Sequence, residues 1–173
     1  MSTYPAWAAG QRITGAGLRA SLPEFITKTT DESVTNSTVL QADDHLQAAV
    51  EAGATYTFEL QLFMGAGDSN GDVKFGWDLP AGSTLHFAGT GAHTVAITTG
   101  TNGPVEFFAI RNATAASVLG FGISSGANTW VKLEGIVTVT TAGLLRLMWA
   151  QNVATATATR VLAGSWMELR RRA

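Results

Sequence analysis

The sequence predicts an all-β protein: an antiparallel β-sandwich, jelly-roll-like, preceded by a short N-terminal arm that carries one short helix. Three observations predict it. From about residue 27 onward apolar residues recur at every second position, the period of a strand with one wet face. Turn-forming clusters separate these runs, namely GAGDSNG, LPAGS, TTGTNGP, SSGAN and TTAG. Charged residues make up only 14% of the chain, so Thr, Ser, Asn, Gly and Ala must cover the surface. Such small residues suit sheet faces and surfaces buried against other subunits.

The arm comprises residues 1–26. In ITGAGLRASLPEF, Thr14 is placed to cap a short helix, Leu18 and Leu22 lie four apart on one face, and Pro23 ends it. With glycines at 15 and 17 the helix is weak in isolation and needs a surface to lie on, from its own domain or a neighbour.

The sandwich domain comprises residues 27–173. Leu46, Ala48 and Val50 form its first stripe, and Tyr56, Phe58, Leu60 and Leu62 its second. The turn letters Glu51-Ala-Gly53-Ala between them predict a hairpin. Further stripes are Val73, Phe75, Trp77 and Leu79; Val95 and Ile97; Val105, Phe107 and Ala109; then Leu119, Phe121 and Ile123. Thr129, Val131 and Leu133 follow, then Val137 and Val139, Leu145, Leu147 and Trp149, and finally Met167 and Leu169. Roughly eight to ten short strands with no long helix among them indicate a sandwich, and the strand number fits a jelly roll. No repeat of fixed period points to a propeller or solenoid. NVATATATR reads as a loop, or as a strand whose small side chains face a close neighbour.

At 173 residues the chain is long enough for one domain with a full core. A net charge of −2 provides no basic field for nucleic acid or anionic lipid, and Arg170, Arg171 and Arg172 read as a solvated tail. No apolar run approaches the ~18 residues of a membrane helix, and MSTYPAWAAGQR lacks the regions of a signal peptide, so a soluble, cytoplasmically made chain is expected. The absence of cysteine removes disulfides, zinc–thiolate sites and thiol nucleophiles.

The residues that carry chemistry form no catalytic pattern. Asp68, Asn70 and Asp72 alternate as in a calcium loop, but the glycine falls one place early and no closing Glu follows, so a hairpin turn on Asn70-Gly71 is the simpler account. His45, His86 and His93 lie in no nucleophile motif, and His86 and His93 read as surface residues. Glu59, Asp78, Glu106 and Glu134 fall at outward phases or near turns; glycoside chemistry would need two of them in an aromatic-lined groove, and most aromatics point inward. No phosphate-cradling glycine motif precedes a helix. In LQADDHLQAAVEAG, alternation places Asp44 with Leu46 and His45 with Gln47, on opposite faces, with the carboxylates accepting backbone N–H groups where the strand begins. The chain is therefore expected to be no enzyme, with no catalytic residue, cofactor or metal ligand. Two aromatics break the inward rule: Trp130 shares a phase with Lys132 and Glu134, and Trp166 with Glu168 and Arg170. Each is a candidate subunit contact or sugar-stacking platform, or is covered by a loop of its own chain.

Three blocks, WAAGQRITGAGLRASLP, TDESVTNSTVLQADDHLQAAVEAGATYTFELQLF and LRLMWAQNVATATATRVLAGSWMELRR, resemble a group of small virion structural proteins of actinobacterial tailed phages. The resemblance covers nearly the whole chain. It rests on Trp7, Gly10, Gln11 and Arg12, on Thr55 and Tyr56, and on Trp149 to Gln151 with Ala163 to Trp166. It implies a minor tail or fibre-type protein, or a capsid decoration protein: a compact β-domain located in the virion, homotrimeric, and attached to other capsid or tail proteins by its arm. No catalytic residue comes with it. Candidate subunit or ligand contacts are Trp7, Leu18, Leu22, Trp130 and Trp166, with a carbohydrate-binding module that recognises a host-surface glycan as the competing reading.

Overall fold

The computed structural model describes residues 9–20, 22–65, 67–68, 70–92, 94 and 113–172. After helix α1 (Gly15–Ala20) come β1 (Glu24–Thr27), β2 (Glu32–Val34), β3 (Gln41–Val50) and β4 (Thr55–Met64). They are followed by β5 (Val73–Asp78), β6 (Thr84–Thr90), β7 (Ala113–Thr114), β8 (Leu119–Phe121), β9 (Thr129–Thr138), β10 (Gly143–Gln151), β11 (Thr159–Val161) and β12 (Trp166–Arg171).

The pairing of β3 to β10 is that of one long antiparallel hairpin: β3 with β10, β4 with β9, β5 with β8, β6 with β7. Rolling that ribbon brings β10 against β5 and β9 against β6. Two sheets result, β3-β10-β5-β8 and β4-β9-β6-β7. A rolled eight-stranded ribbon is a jelly roll, the architecture the strand number predicts. The remaining strands lengthen the second sheet beyond β4: β12 pairs with β4, β1 with β12, and β11 with β2 and β4. These additions leave β4 with partners on both sides, so it is no longer an open edge.

The core lies between the sheets. β4 supplies Tyr56, Phe58, Leu60, Leu62 and Met64, and the facing sheet supplies Leu46, Phe75, Trp77, Leu145, Leu147 and Trp149, all buried. Each such side chain stabilises the fold by roughly 1.5–3 kcal/mol relative to leaving it in water. Aromatic edges interlock across the gap, Phe58 with Trp77 at 4.6 Å and Trp77 with Phe87 at 6.1 Å between ring centroids.

Two expected hairpins are corners instead. β3 and β4 belong to opposite sheets, so the turn at Ala52-Gly53 carries the chain over the rim. Gly53 takes φ +73°, its N–H bonds the Val139 carbonyl at 2.8 Å, and the Glu51 N–H bonds Tyr56 Oη at 3.1 Å. A hairpin and a corner carry the same letters, because in both the flanking stripes point at one core. Likewise Asn70-Gly71 is a turn, with Asp68 Oδ1 accepting the Asn70 N–H at 2.9 Å, but it joins β4 to β5 across the sandwich.

The stripes at 129–133 and 137–139 fall largely in one strand, β9, whose inward pattern is interrupted by Gly135. A Cβ there would lie 2.4 Å from the His86 carbonyl oxygen and 2.6 Å from Phe58 Cζ, so the Phe58 ring occupies the place of the missing side chain. NVATATATR is mostly loop: buried Gln151 donates to Thr155 Oγ1 and the Thr157 carbonyl before β11 begins at Thr159. The stripes at Val95, Ile97, Val105, Phe107 and Ala109 lie outside the described residues, as do Trp7, His93 and Glu106.

In the arm, Thr14 Oγ1 accepts the Gly17 N–H at 3.1 Å, the expected cap. Leu18 and Leu22 remain 52% and 60% exposed. The arm runs into β1, so the 26/27 boundary falls within a strand of the larger sheet. Replacing Gly135 by Ala is expected to lower stability by about 3 kcal/mol through overpacking against Phe58, read as a lower denaturant midpoint with an unchanged slope.

Candidate functional site

The outer face of the larger sheet gathers the outward residues of β1, β12, β4 and β9. Register sets them in rows. Glu168, Glu59 and Glu134 lie directly opposite one another across β12, β4 and β9; Trp166, Gln61 and Lys132 form the next row; Phe63 and Trp130 pair in the row beyond. Trp130 is 42% exposed. Trp166 is half-buried because Phe25 of β1 stacks on it, 5.2 Å between centroids and 27° between planes. The structure thus brings both tryptophans to one face, on strands two spacings apart, about 10 Å laterally. For Trp166 the stacking ring comes from an adjacent strand.

Phe25 and Phe63 belong to the same face and were not singled out from the sequence. The signal for Phe63 was present, since it shares the outward phase of Glu59 and Gln61. Phe25 carried none, because a four-residue strand is too short to show a period.

Three carboxylates in a row repel unless a cation intervenes. Lys132 Nζ lies 3.1 Å from Glu134 Oε2 and 3.3 Å from Glu59 Oε1. The Glu134 hydrogen bond, aided by Glu59 and opposed by partial desolvation, holds its ammonium above the ordinary lysine value of 10.5. Any stability this contributes is therefore present below that value and lost as pH rises through the raised one. Glu59 and Glu134 thus share one cation between them. Beside them a depression of about 420 Å³ is lined by the three glutamates with Arg170 and Arg172. The C-terminal arginines are not a free tail: β12 extends to Arg171, which bonds Glu51, and Arg172 Nε donates to Thr57 Oγ1 at 2.9 Å. Among the described residues, no group of three His, Cys, Asp or Glu is arranged to hold a metal.

The Asp43-Asp44-His45 stretch departs from its expected phase. Arg146 of β10 faces Gln47 and Met148 faces Ala42, so Asp43 to Leu46 all lie against Leu147 alone. Alternation cannot survive such a bulge. Asp43 turns inward and is buried, Asp44 is exposed, and Leu46 turns inward again. Asp43 Oδ1 accepts the N–H groups of His45 and Leu46, each at 2.9 Å, the backbone bonding expected of a carboxylate there. Its Oδ2 meets the Nζ of buried Lys28 at 2.8 Å, and Glu32 Oε2 meets the same nitrogen at 2.8 Å. His45 Nε2 lies 2.9 Å from Thr29 Oγ1, so the ring is tied to its own chain. His86 is exposed on β6, as expected.

Replacing Lys132 by Met is expected to cost roughly half a kcal/mol at low salt and neutral pH, with the loss shrinking in 1 M salt and again as pH rises through the raised lysine value. Urea titrations at the three conditions read it.

No protein-family model and no curated protein matches the chain. Among solved structures it is similar to those of infectious bursal disease virus, strains Gx and Gt, at 10% and 11% identity and TM-scores of 0.21 and 0.22. The matches take in 87% of this chain, which spans 40% and 41% of those proteins.

Proposed function

We propose that the chain is a non-enzymatic structural protein of a virus particle: a homotrimeric jelly-roll domain fastened to neighbouring capsid or tail proteins by its N-terminal arm, as a minor tail or fibre-type protein or a capsid decoration protein. The observation that carries this reading is the arm itself. Within thirteen residues Ile13, Leu18, Leu22 and Phe25 are 65%, 52%, 60% and 60% exposed. An apolar series of that kind is a liability in water and an asset against a subunit. It leads directly into β1 at the side of the larger sheet, so a partner gripping the arm also reaches the Phe25–Trp166 stack. Low charge and jelly-roll topology support the same reading, since this architecture packs side by side in capsids.

The exposed Trp130, with Phe63 and the Phe25–Trp166 stack on one face beside Gln61 and three carboxylates, favours a second reading, a host-glycan-binding face. Aromatic planes stack on sugar rings while carboxylates and amides take their hydroxyls.

The solution mass of the full chain is expected to be three times that of the protomer, and Leu18→Glu with Leu22→Glu to reduce it to that of a monomer without loss of β-structure. Antibody labelling of intact particles is expected to find the protein there. A full chain that is monomeric and absent from particles sinks the proposal. If glycan-array binding is then lost in Trp130→Ala or Trp166→Ala, the second reading takes its place.

A further inference from the structure

We propose that Lys28 and Asp43 condense into an intramolecular isopeptide bond that ties the two sheets together, with Glu32 carrying the protons. Four features meet there. Both reacting side chains are fully shielded from solvent and their nitrogen and oxygen are 2.8 Å apart. Glu32 Oε2 touches the same nitrogen at 2.8 Å, and its side chain is 11% exposed, so it stands between the pair and bulk water. Asp43 Oδ1 sits in a cradle of two backbone N–H groups at 2.9 Å each, provided by the bulge. Glu32 is held in its turn by Gln41 Nε2 at 2.6 Å and by the Asp44 N–H at 3.2 Å.

Each feature has a place in amide formation. Glu32 takes a proton from the Lys28 ammonium and passes it to Asp43 Oδ2. The freed amine attacks Cγ, one bond beyond the oxygen it already touches, a pairing that folding fixes in place. Negative charge collects on Oδ1, where the two N–H donors lie at the distances that stabilise an oxyanion. Glu32 then moves a second proton from nitrogen to Oδ2. The N–Cγ bond is complete, the Cγ–Oδ2 bond breaks, and water leaves past Glu32. Two of the three ammonium protons depart with Oδ2, the third stays on the amide, and Glu32 ends as it began. No oxidant, cofactor or second substrate enters. The product replaces two ions held out of water, which carry a desolvation cost, by one neutral amide. The reaction occurs once per chain, so it is self-modification and not turnover.

The position gives the bond its consequence. Lys28 directly follows β1, and its N–H and carbonyl are bonded to Ser165 and Gly164 beside β12. Asp43 belongs to β3 in the other sheet.

Intact-mass spectrometry of the native full chain tests this without any variant. The folded protein is expected to be about 18 Da, one water, lighter than its sequence. Tryptic digestion is expected to leave residues 20–74 as one internally looped peptide, lighter than its sequence by one water, with no cleavage after Lys28. Lys28→Arg, which keeps the charge but cannot condense, and Glu32→Gln are each expected to restore the full sequence mass. A native chain at full mass, yielding the two segments as separate peptides after prolonged incubation in the folded state, overturns the proposal and leaves an ordinary buried ion pair. Condensation that proceeds undiminished in Glu32→Gln overturns the role given to Glu32.

Discussion

The β4–β9 ladder is the constraint on which the rest depends. Its register is unbroken over ten residue pairs, from Thr55 opposite Thr138 to Met64 opposite Thr129. A slip by one residue would turn every inward side chain of β4 to solvent. The ring of Phe58 opposes such a slip sterically, because it fills a slot that only the glycine at 135 leaves open. The same register decides what the outer face presents. With Phe58 fixed opposite Gly135, Glu59 must oppose Glu134, Gln61 must oppose Lys132, and Phe63 must oppose Trp130.

The outer face is thus a by-product of core packing that must be made tolerable and is then available for use. Two of the three opposed glutamates are held by one lysine in the next row, and two adjoining rows hold aromatics that the core does not need. A sheet face built only for solvent would space its carboxylates apart and keep large rings inside.

Most of the fold was legible in the sequence because period-two stripes survive wherever a strand has one wet face, and the buried residues of β4, β5, β9 and β10 follow the stripes closely. What was not legible is which sheet each stripe belongs to, since Ala52-Gly53 and Asn70-Gly71 are turns whether the chain doubles back or crosses the rim. Alternation also failed at Asp43. The bulge against Leu147 is a property of two strands taken together, and no single strand records it. The Lys28–Asp43–Glu32 cluster was illegible for a related reason: its members lie four and fifteen residues apart and meet only because β1 and β3 are brought together. Trp130 and Trp166 could be read from phase, but the ring that stacks on Trp166 could not.

The cluster and the arm bear on each other mechanically. A load drawn through the N-terminal arm enters the domain at Glu24, the first residue of β1, and peels that strand from β12 one pair at a time. Only four pairs resist before the load reaches Lys28. There it meets a residue held by backbone bonds to Gly164 and Ser165, and by its side chain to a strand of the opposite sheet. As an ion pair, that side-chain contact yields once water reaches it, because exposed charges attract each other weakly. As an amide, it routes the load around residues 29–42 into β3 and, through β10, into the core of the smaller sheet. Peeling then ends at Lys28, and the jelly roll is loaded through its interior instead of along its edge. Against a load entering through the arm, a covalent tie protects the domain most at the first residue behind the strand the load peels, which is where Lys28 stands.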